Sequence, residues 1–246
     1  MVKRPIHRWS DNSATPEMDI LADEVIVTLY CKGDVVVRLL ATPQDLEDLA
    51  YGHVICEGIG RIDSLHVEGN EIHVDGELVK RPTDDILTAA CGACTSGEIT
   101  TPSDYVENTQ RLVGNLQSML SEMKENQLLF QKTGGVHATA VFDETGKLLF
   151  LREDIGRHNA FDKAIGASRR NNHDAKILLL SGRVGWELIA KSVRANVEIV
   201  IAVGAISSAA ESLARSSGIT LVGFGSSERP AVVGSNDMAW SKNRRA

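Results

Sequence analysis

Three short stretches constrain the fold of this chain more than anything else in it. Lys176-Ile177-Leu178-Leu179-Leu180, Glu198-Ile199-Val200-Ile201-Ala202-Val203 and Thr220-Leu221-Val222-Gly223-Phe224 are apolar on successive residues, not alternate ones. A strand points its side chains to both faces in turn, so strands of this kind need cover on both faces. Helical stretches separate them, from Trp186 to Ala195 and from Ser208 to Ser216. Strands alternating with short helices predict a three-layer α/β arrangement. Just upstream, Val136 to Phe142 and Lys147 to Arg152 read as a hairpin about Asp143-Glu144-Thr145-Gly146, followed by a helix from about Arg157 to Arg169.

The first half is organised differently. Residues 1–20 mix polar and charged types and read as a mobile arm. Glu24 to Tyr30 and Val35 to Leu40 flank Lys32-Gly33-Asp34, the pattern of a hairpin. Thr42-Pro43-Gln44-Asp45 has the chemistry of a helix start, and Gly58 and Gly60 close that helix. Leu65 to Glu68 and Glu71 to Val74 form a second hairpin about Gly69-Asn70. Residues 21–80 thus make a small α+β subdomain, and residues 81–102, broken by Pro82, Gly92, Gly97 and Pro102, a loop. A long helix is expected from Ser103 to about Asn126, with Val106, Val113, Leu116, Leu120 and Met123 as its stripe. The second domain then covers residues 103–229, and 230–246 is a polar tail.

Composition excludes some functions. The net charge of −7 argues against a general nucleic-acid binder, and no apolar run has the length of a membrane span. Lys3-Arg4-Pro5-Ile6-His7-Arg8-Trp9 has charge with no apolar segment after it, so it is not a secretory signal. Four cysteines are too few for a disulfide scaffold, which makes a reducing cytoplasm the expected location.

The loop carries Cys91-Gly92-Ala93-Cys94 among small residues. Two thiols at this spacing can share a metal, cycle through a disulfide or carry sulfur as a persulfide. Zinc needs two further ligands, and there is no second C-x-x-C and no H-x-x-x-H. A thioredoxin-type pair belongs at a helix start after a strand. Cys31, at a hairpin turn, and Cys56, on a helix, read as structural bystanders. A second cluster is Arg152-Glu153-Asp154-Ile155-Gly156-Arg157-His158-Asn159-Ala160-Phe161-Asp162-Lys163. It is either a solvated, salt-bridged helix start or a polar ligand pocket at a helix N-terminus. His137, after Gly134-Gly135-Val136, either faces the same junction or lies in the core. Three strand-to-helix junctions, Ser181-Gly182-Arg183, Gly204-Ala205-Ile206-Ser207-Ser208 and Gly223-Phe224-Gly225-Ser226-Ser227-Glu228-Arg229, combine Gly with Ser. Ligands of open α/β sheets bind outside such strand ends. With Arg157, Arg183, Lys191 and Arg229 nearby in sequence, they suggest an anionic ligand such as a nucleotide.

Thr133-Gly134-Gly135-Val136-His137-Ala138, Glu153 to Lys163, Ser181-Gly182-Arg183 with Glu187 and Lys191, and Leu221-Val222-Gly223-Phe224 occur in order, after Thr42-Pro43, Glu57-Gly58 and the C-x-x-C. Over residues 24–229 this resembles the formate dehydrogenase accessory sulfurtransferase family, FdhD/NarQ. The resemblance implies a cytidine-deaminase-like three-layer C-terminal domain lacking that enzyme's zinc site, beside the smaller α+β subdomain, with no protein-ligated metal. It implies an enzyme, a sulfurtransferase that takes persulfide sulfur from a cysteine desulfurase. The sulfur passes to the molybdenum or tungsten bis-molybdopterin guanine dinucleotide cofactor, bound as substrate and destined for formate dehydrogenase or a related molybdoenzyme. A homodimer is implied, with no nucleic-acid or membrane partner. By position Cys91 matches the persulfide cysteine and Cys94 its neighbour, and Phe224, Gly225, Ser226, Ser227, Glu228 and Arg229 fall on the cofactor loop. Gly182, Arg183, Ser207, His137, Arg157 and His158 complete the expected cofactor contacts. Thr95 after Cys94, and Gly204-Ala205-Ile206-Ser207-Ser208 without a Pro, depart from the family pattern. A cofactor-binding chaperone without catalysis, a paralogue with another client and a zinc-stabilised module are the alternatives.

Overall fold

The computed structural model describes residues 1–79, 86–87, 101–109 and 115–234. Strands β1 (Val2–Ser10) and β2 (Ser13–Leu21) pair antiparallel as a separate two-stranded ribbon. Their turn, Asp11-Asn12, has φ of 45° and 64°, the left-handed pair of a type I′ hairpin. The segment expected to be a mobile arm forms a hairpin. Its composition hides this: Pro5 and Pro16 lie within strands, which only edge strands tolerate, and both strands here are edges.

The N-terminal subdomain follows the hairpin expectations. Strand β3 (Val25–Cys31) turns at Lys32-Gly33 into β4 (Asp34–Ala41), helix α1 spans Leu46–Glu57, and β5 (Gly60–Glu68) turns at Gly69-Asn70 into β6 (Glu71–Leu78). With the short β7 (Ile86–Leu87) the sheet order is β5-β6-β3-β4-β7. Helix α1 covers one face, burying Leu49 and Val54 against Val27, Leu29, Leu39 and Ile72. The helix does not start at Thr42. It follows Asp45, whose φ of 52° is left-handed, and no side chain caps it. Thr42 has been taken into another network, described below.

The expected helix from Ser103 to Asn126 is shorter. Residues 101–109 have no regular structure, and α2 spans only Leu116–Asn126, followed by α3 (Leu128–Thr133). Val106 packs in the cluster on one face of the large sheet, while Leu116 and Met123 pack on the other. One straight helix cannot serve both faces. Asn108 and Thr109 instead tie the segment to Glu198, with Asn108 Nδ2 donating to the Glu198 carbonyl at 3.0 Å and Thr109 N to Glu198 Oε2 at 2.6 Å.

The remaining elements are β8 (His137–Phe142), β9 (Leu148–Asp154), α4 (Arg157–Arg170), β10 (Ile177–Leu180), α5 (Trp186–Arg194), β11 (Ile199–Ala202), α6 (Ser208–Ser217), β12 (Thr220–Gly223) and β13 (Ala231–Val233). They form a six-stranded sheet in the order β13-β12-β11-β10-β8-β9, with β10, β11 and β12 parallel. Strand β13 lies where the polar tail was expected to begin, pairing antiparallel with β12. Alternation along the central strands divides the core. Leu178, Leu180, Val200 and Leu221 pack on the side of Leu188, Ile189 and Ala214. Ile177, Leu179, Ile201 and Val222 pack on the side of Leu116, Met119 and Met123. The sheet is thus covered on both faces, as continuous apolar strands require. Each such Leu, Ile or Val contributes about 1.5–3 kcal/mol when fully buried.

Helices α1 and α4 join the subdomains at backbone distance. A Cβ on Gly52 would lie 1.6 Å from the Asp162 carbonyl oxygen, and one on Gly166 would lie 1.9 Å from that of Asp48.

Candidate functional site

The polar block from Arg152 to Lys163 serves mainly to dock the two subdomains. Asp154 is fully buried and accepts from the backbone N–H of Thr42 at 3.0 Å and of Gly156 at 2.8 Å, from Asn159 Nδ2 at 3.1 Å and from Lys163 Nζ at 2.6 Å. Lys163 Nζ also donates to the Thr42 carbonyl at 2.9 Å, and Asn159 Nδ2 to that of Leu40 at 2.8 Å. The Thr42 hydroxyl accepts from Ile155 N at 3.1 Å. Asp154 is thus paired with Lys163 and hydrogen-bonded by three further donors, the condition under which buried charge is tolerated. Glu153 turns the other way and caps α3, accepting from Leu129 N at 2.7 Å and Phe130 N at 2.8 Å.

One helical turn on, Asp162 faces α1 and α5. Lys191 Nζ donates to both its oxygens at 2.8 Å, His53 Nδ1 lies 3.2 Å from Oδ2, and Lys191 also pairs with Glu57 at 2.7 Å. Burial alone would push the Asp162 carboxyl up, but Lys191 and His53 together hold it below the ordinary value. Lys191, which sequence reasoning offered to an anionic ligand, is sealed in this cluster. Cys56 lies beside it, fully buried, its thiol pushed up by burial and by Asp162, so it is a poor nucleophile. Cys31 is buried with Sγ 3.7 Å from the Gly76 carbonyl oxygen.

The expected ligand residues separate into two groups. His158 is buried, its Nε2 2.8 Å from Glu187 Oε2, while Nδ1 has no hydrogen-bond partner. That pairing, not direct access to solvent, governs His158, whereas Arg157 beside it is only half-buried. Ser207 is committed to capping α6, accepting from Ala210 N at 3.1 Å. His137, Gly182, Arg183 and the loop from Phe224 do meet, at the carboxyl ends of the parallel strands. Gly182 lies so close to His137 that a Cβ there would be 3.2 Å from Nδ1. Gly204 N donates to the Gly182 carbonyl at 3.1 Å, and Phe224 N to that of Gly204 at 2.8 Å. Gly225 N reaches the Ala202 carbonyl at 2.8 Å, and Ser226 Oγ the Val203 carbonyl at 3.4 Å. Phe224 is held at φ 54° and is 49% exposed. A left-handed aromatic residue costs on the order of 1–3 kcal/mol and persists only where its surroundings fix it, as these bonds do. Glu228 and Arg229 are exposed beyond it, with Arg229 N donating to Ser227 Oγ at 3.2 Å. Burial, then the positive charge of Arg157, lower the His137 imidazole, which is therefore neutral at pH 7 and can accept a hydrogen bond.

Of these, His137 and Ser226 line a cleft of about 820 Å³ between the sheet edge and α2–α3, together with Lys124, Phe130, Ser181 and Val203 among others. Sequence reasoning missed this wall: the long helix expected there ended at about Asn126, so it held Lys124 but left Phe130 and α3 without an element. A mostly apolar cleft with a few convergent polar groups is the usual form of a small-ligand site. Cys91 and Cys94 lie outside the described residues. Among the described residues no cluster of three or more His, Cys, Asp or Glu side chains is arranged to hold a metal ion, and no helix is long and apolar enough to cross a membrane.

Known proteins resemble the chain over nearly its whole length. The sulfur carrier protein FdhD of Sulfurisphaera tokodaii is 32% identical over 237 residues, covering 91% of this chain and 93% of that protein. The protein of the same name from Mycobacterium tuberculosis is 33% identical over 253 residues, covering 90% and 92%. A crystal structure from Desulfotalea psychrophila, bearing the name of a formate dehydrogenase accessory protein, has the same fold at a TM-score of 0.78. It is 21% identical and the match covers 96% of this chain and 98% of that one. The sequence pattern of the FdhD/NarQ family matches residues 22–237, a range that contains Cys91 and Cys94. The chain belongs to the FdhD/NarQ family.

Proposed function

We propose that this protein is a sulfur carrier for the maturation of a formate dehydrogenase or related molybdoenzyme, with a cysteine persulfide as its intermediate. The observation that carries the reading is the family match across residues 22–237, which spans Cys91 and Cys94, together with relatives that bear the name of sulfur carriers. In the proposed reaction the Cys91 thiolate attacks the outer sulfur of a cysteine desulfurase persulfide. A new S–S bond forms at Cys91, the desulfurase S–S bond breaks, and the desulfurase cysteine leaves as thiolate. Sulfur changes carrier without an external oxidant or reductant. The receiving substrate is the molybdenum or tungsten bis-molybdopterin guanine dinucleotide cofactor.

The cleft supports the cofactor half of the reading. Its neutral His137, the hydroxyls of Ser181 and Ser226, and Lys124 suit a ligand with both flat apolar and anionic parts, and Arg183 stands exposed beside it. Gly182 and Gly204 let His137 and the neighbouring strand ends pack closely beside the cleft, at the strand ends where ligands of such sheets approach. Cys56 and Cys31 are buried and unsuited to carry sulfur, which leaves the chemistry to the 91/94 pair.

The test is mass spectrometry of the protein after incubation with a cysteine desulfurase and cysteine. A mass gain of one sulfur on the peptide bearing Cys91, lost in Cys91→Ala along with support of formate dehydrogenase activity, is the expected result. Normal maturation by Cys91→Ala overturns the reading.

A further inference from the structure

Helix α3 is short and lightly held. It has six residues, of which only Leu129 is buried. Leu128 and Lys132, four apart and so on one face of the helix, line a cavity of about 290 Å³ that also reaches Glu153, Asp45 and Met1. Phe130, on the opposite face, lines the cleft of about 820 Å³ together with Gly134. The helix therefore has open space on both sides. Both of its ends break the regular backbone. Gln127, at φ −77° and ψ 69°, separates it from α2 and supplies no side-chain cap, and Gly134 ends it at φ 62°. Element ends of this kind absorb the dihedral changes of hinge motion. Gln131 Nε2 donates to the carbonyls of Lys124 and Glu125 at 3.1 and 3.0 Å, which lie on the α2 side of the same hinge. Beyond its flanks, the main contact of α3 is with β2.

One charged group holds α3 to the sheet. Glu153 of β9 accepts from Leu129 N and Phe130 N at 2.7 and 2.8 Å, the cap that Gln127 does not provide. Hydrogen bonds to a carboxylate are about twice as strong as neutral ones. Its neighbours Arg152 and Asp154, with Asn159 and Lys163, bond instead towards the N-terminal subdomain. We infer that α3 is a movable wall of the cleft and that Glu153 is the positioning residue that latches it. With the latch released, α3 pivots about Gln127 and Gly134 into the smaller cavity, and the cleft opens to admit a ligand. With the latch closed, Phe130 lies over the flat apolar part of that ligand. Small-ligand sites bury most of the ligand's surface, so entry needs a wall that yields, and Phe130, 44% exposed, is apolar surface for the ligand to cover. A segment with so little buried apolar contact opens at a fraction of the cost of global unfolding. The identity of the ligand rests on the proposed function; the motion of the wall does not.

Hydrogen exchange of the full chain, without ligand, tests the latch. The informative amides are Gln131 and Gly134, which bond to the carbonyls of Gln127 and Phe130 and not to Glu153. In the wild type their protection is expected to be at least about 100-fold below that of β10. Glu153→Ala is expected to lower it by a further factor of about ten or more, equivalent to about 1.4 kcal/mol, while β10 exchanges as before. Glu153→Gln, which keeps one acceptor oxygen, should fall between the two. Met123, buried in the wall of the cleft, reads the opening itself. In a Met123→Cys background, labelling of that residue by N-ethylmaleimide, followed on its peptide by mass spectrometry, is expected to accelerate about tenfold or more with Glu153→Ala. Unchanged protection at Gln131 and Gly134 in Glu153→Ala overturns the inference. So does a loss of protection shared by β10, the mark of a merely structural role, and so does Met123→Cys labelling indifferent to Glu153→Ala. Sulfur loading at Cys91 is a separate measurement, so the two readings fail independently.

Discussion

At the residue scale, the most consequential side chains are the buried ionic ones. Asp162 is ringed by Lys191, His53, Glu57 and Cys56, and its carboxyl is held below the ordinary value. A carboxyl depressed in the folded state contributes stability that is present above its unfolded value, about pH 4. The contribution is lost as pH falls through the folded value. Unfolding free energy from urea titrations is therefore expected to drop as pH goes from 5 towards 3, and Asp162→Asn to flatten that drop. The same variant leaves Lys191 buried with only Glu57, costing about 3–5 kcal/mol at neutral pH. An undiminished acid response in Asp162→Asn would show that other carboxyls govern it. The buried cysteines make a second residue-scale prediction. Cys31→Ser with Cys56→Ala should lower stability modestly, by about 1–3 kcal/mol, and leave desulfurase-dependent sulfur uptake unchanged. Uptake reduced to the level of Cys91→Ala in a folded double variant would remove the assignment to the 91/94 pair.

At the element scale, the contact of α1 with α4 sets the relation of the two subdomains. In an isolated helix Gly→Ala stabilises by about 1 kcal/mol. At Gly52 that gain is overwhelmed, because the new Cβ would fall on the Asp162 carbonyl oxygen, and backbone cannot yield as a flexible side chain does. Gly52→Ala is expected to destabilise the protein by at least about 2 kcal/mol, and Gly166→Ala likewise. Thermal unfolding followed by calorimetry checks both; a midpoint at or above the wild type would mean that the helices can separate freely. Periodicity alone could not reveal this crossing. Both glycines look like weak points inside helical patterns, and only the partner backbone explains them.

At the scale of the whole molecule, what could be read in advance was whatever depends on neighbours in sequence. The three continuously apolar strands dictated a doubly covered sheet, since no other arrangement buries both faces of such a strand. The Gly69-Asn70 and Lys32-Gly33 turns dictated their hairpins, and the Gly/Ser junctions after β10, β11 and β12 marked the sheet edge where His137, Gly182 and Phe224 meet. What the chain concealed depends on residues far apart. Val106 and Leu116 share one helical stripe in sequence but serve opposite faces of the sheet, a distinction that exists only once the sheet exists. His158 and Lys191 looked like open ligand groups because charge in a sequence carries no sign of burial. Lys191 was decided by carboxylates from α1 and α4, and His158 by Glu187 on α5. The ribbon was concealed for the same reason in reverse: its two strands become one element only through cross-strand pairing. Local chemistry thus determined the elements and the edge of the site. Tertiary structure alone decided which charges are buried, because the cost of burying a charge is fixed by the partners that surround it.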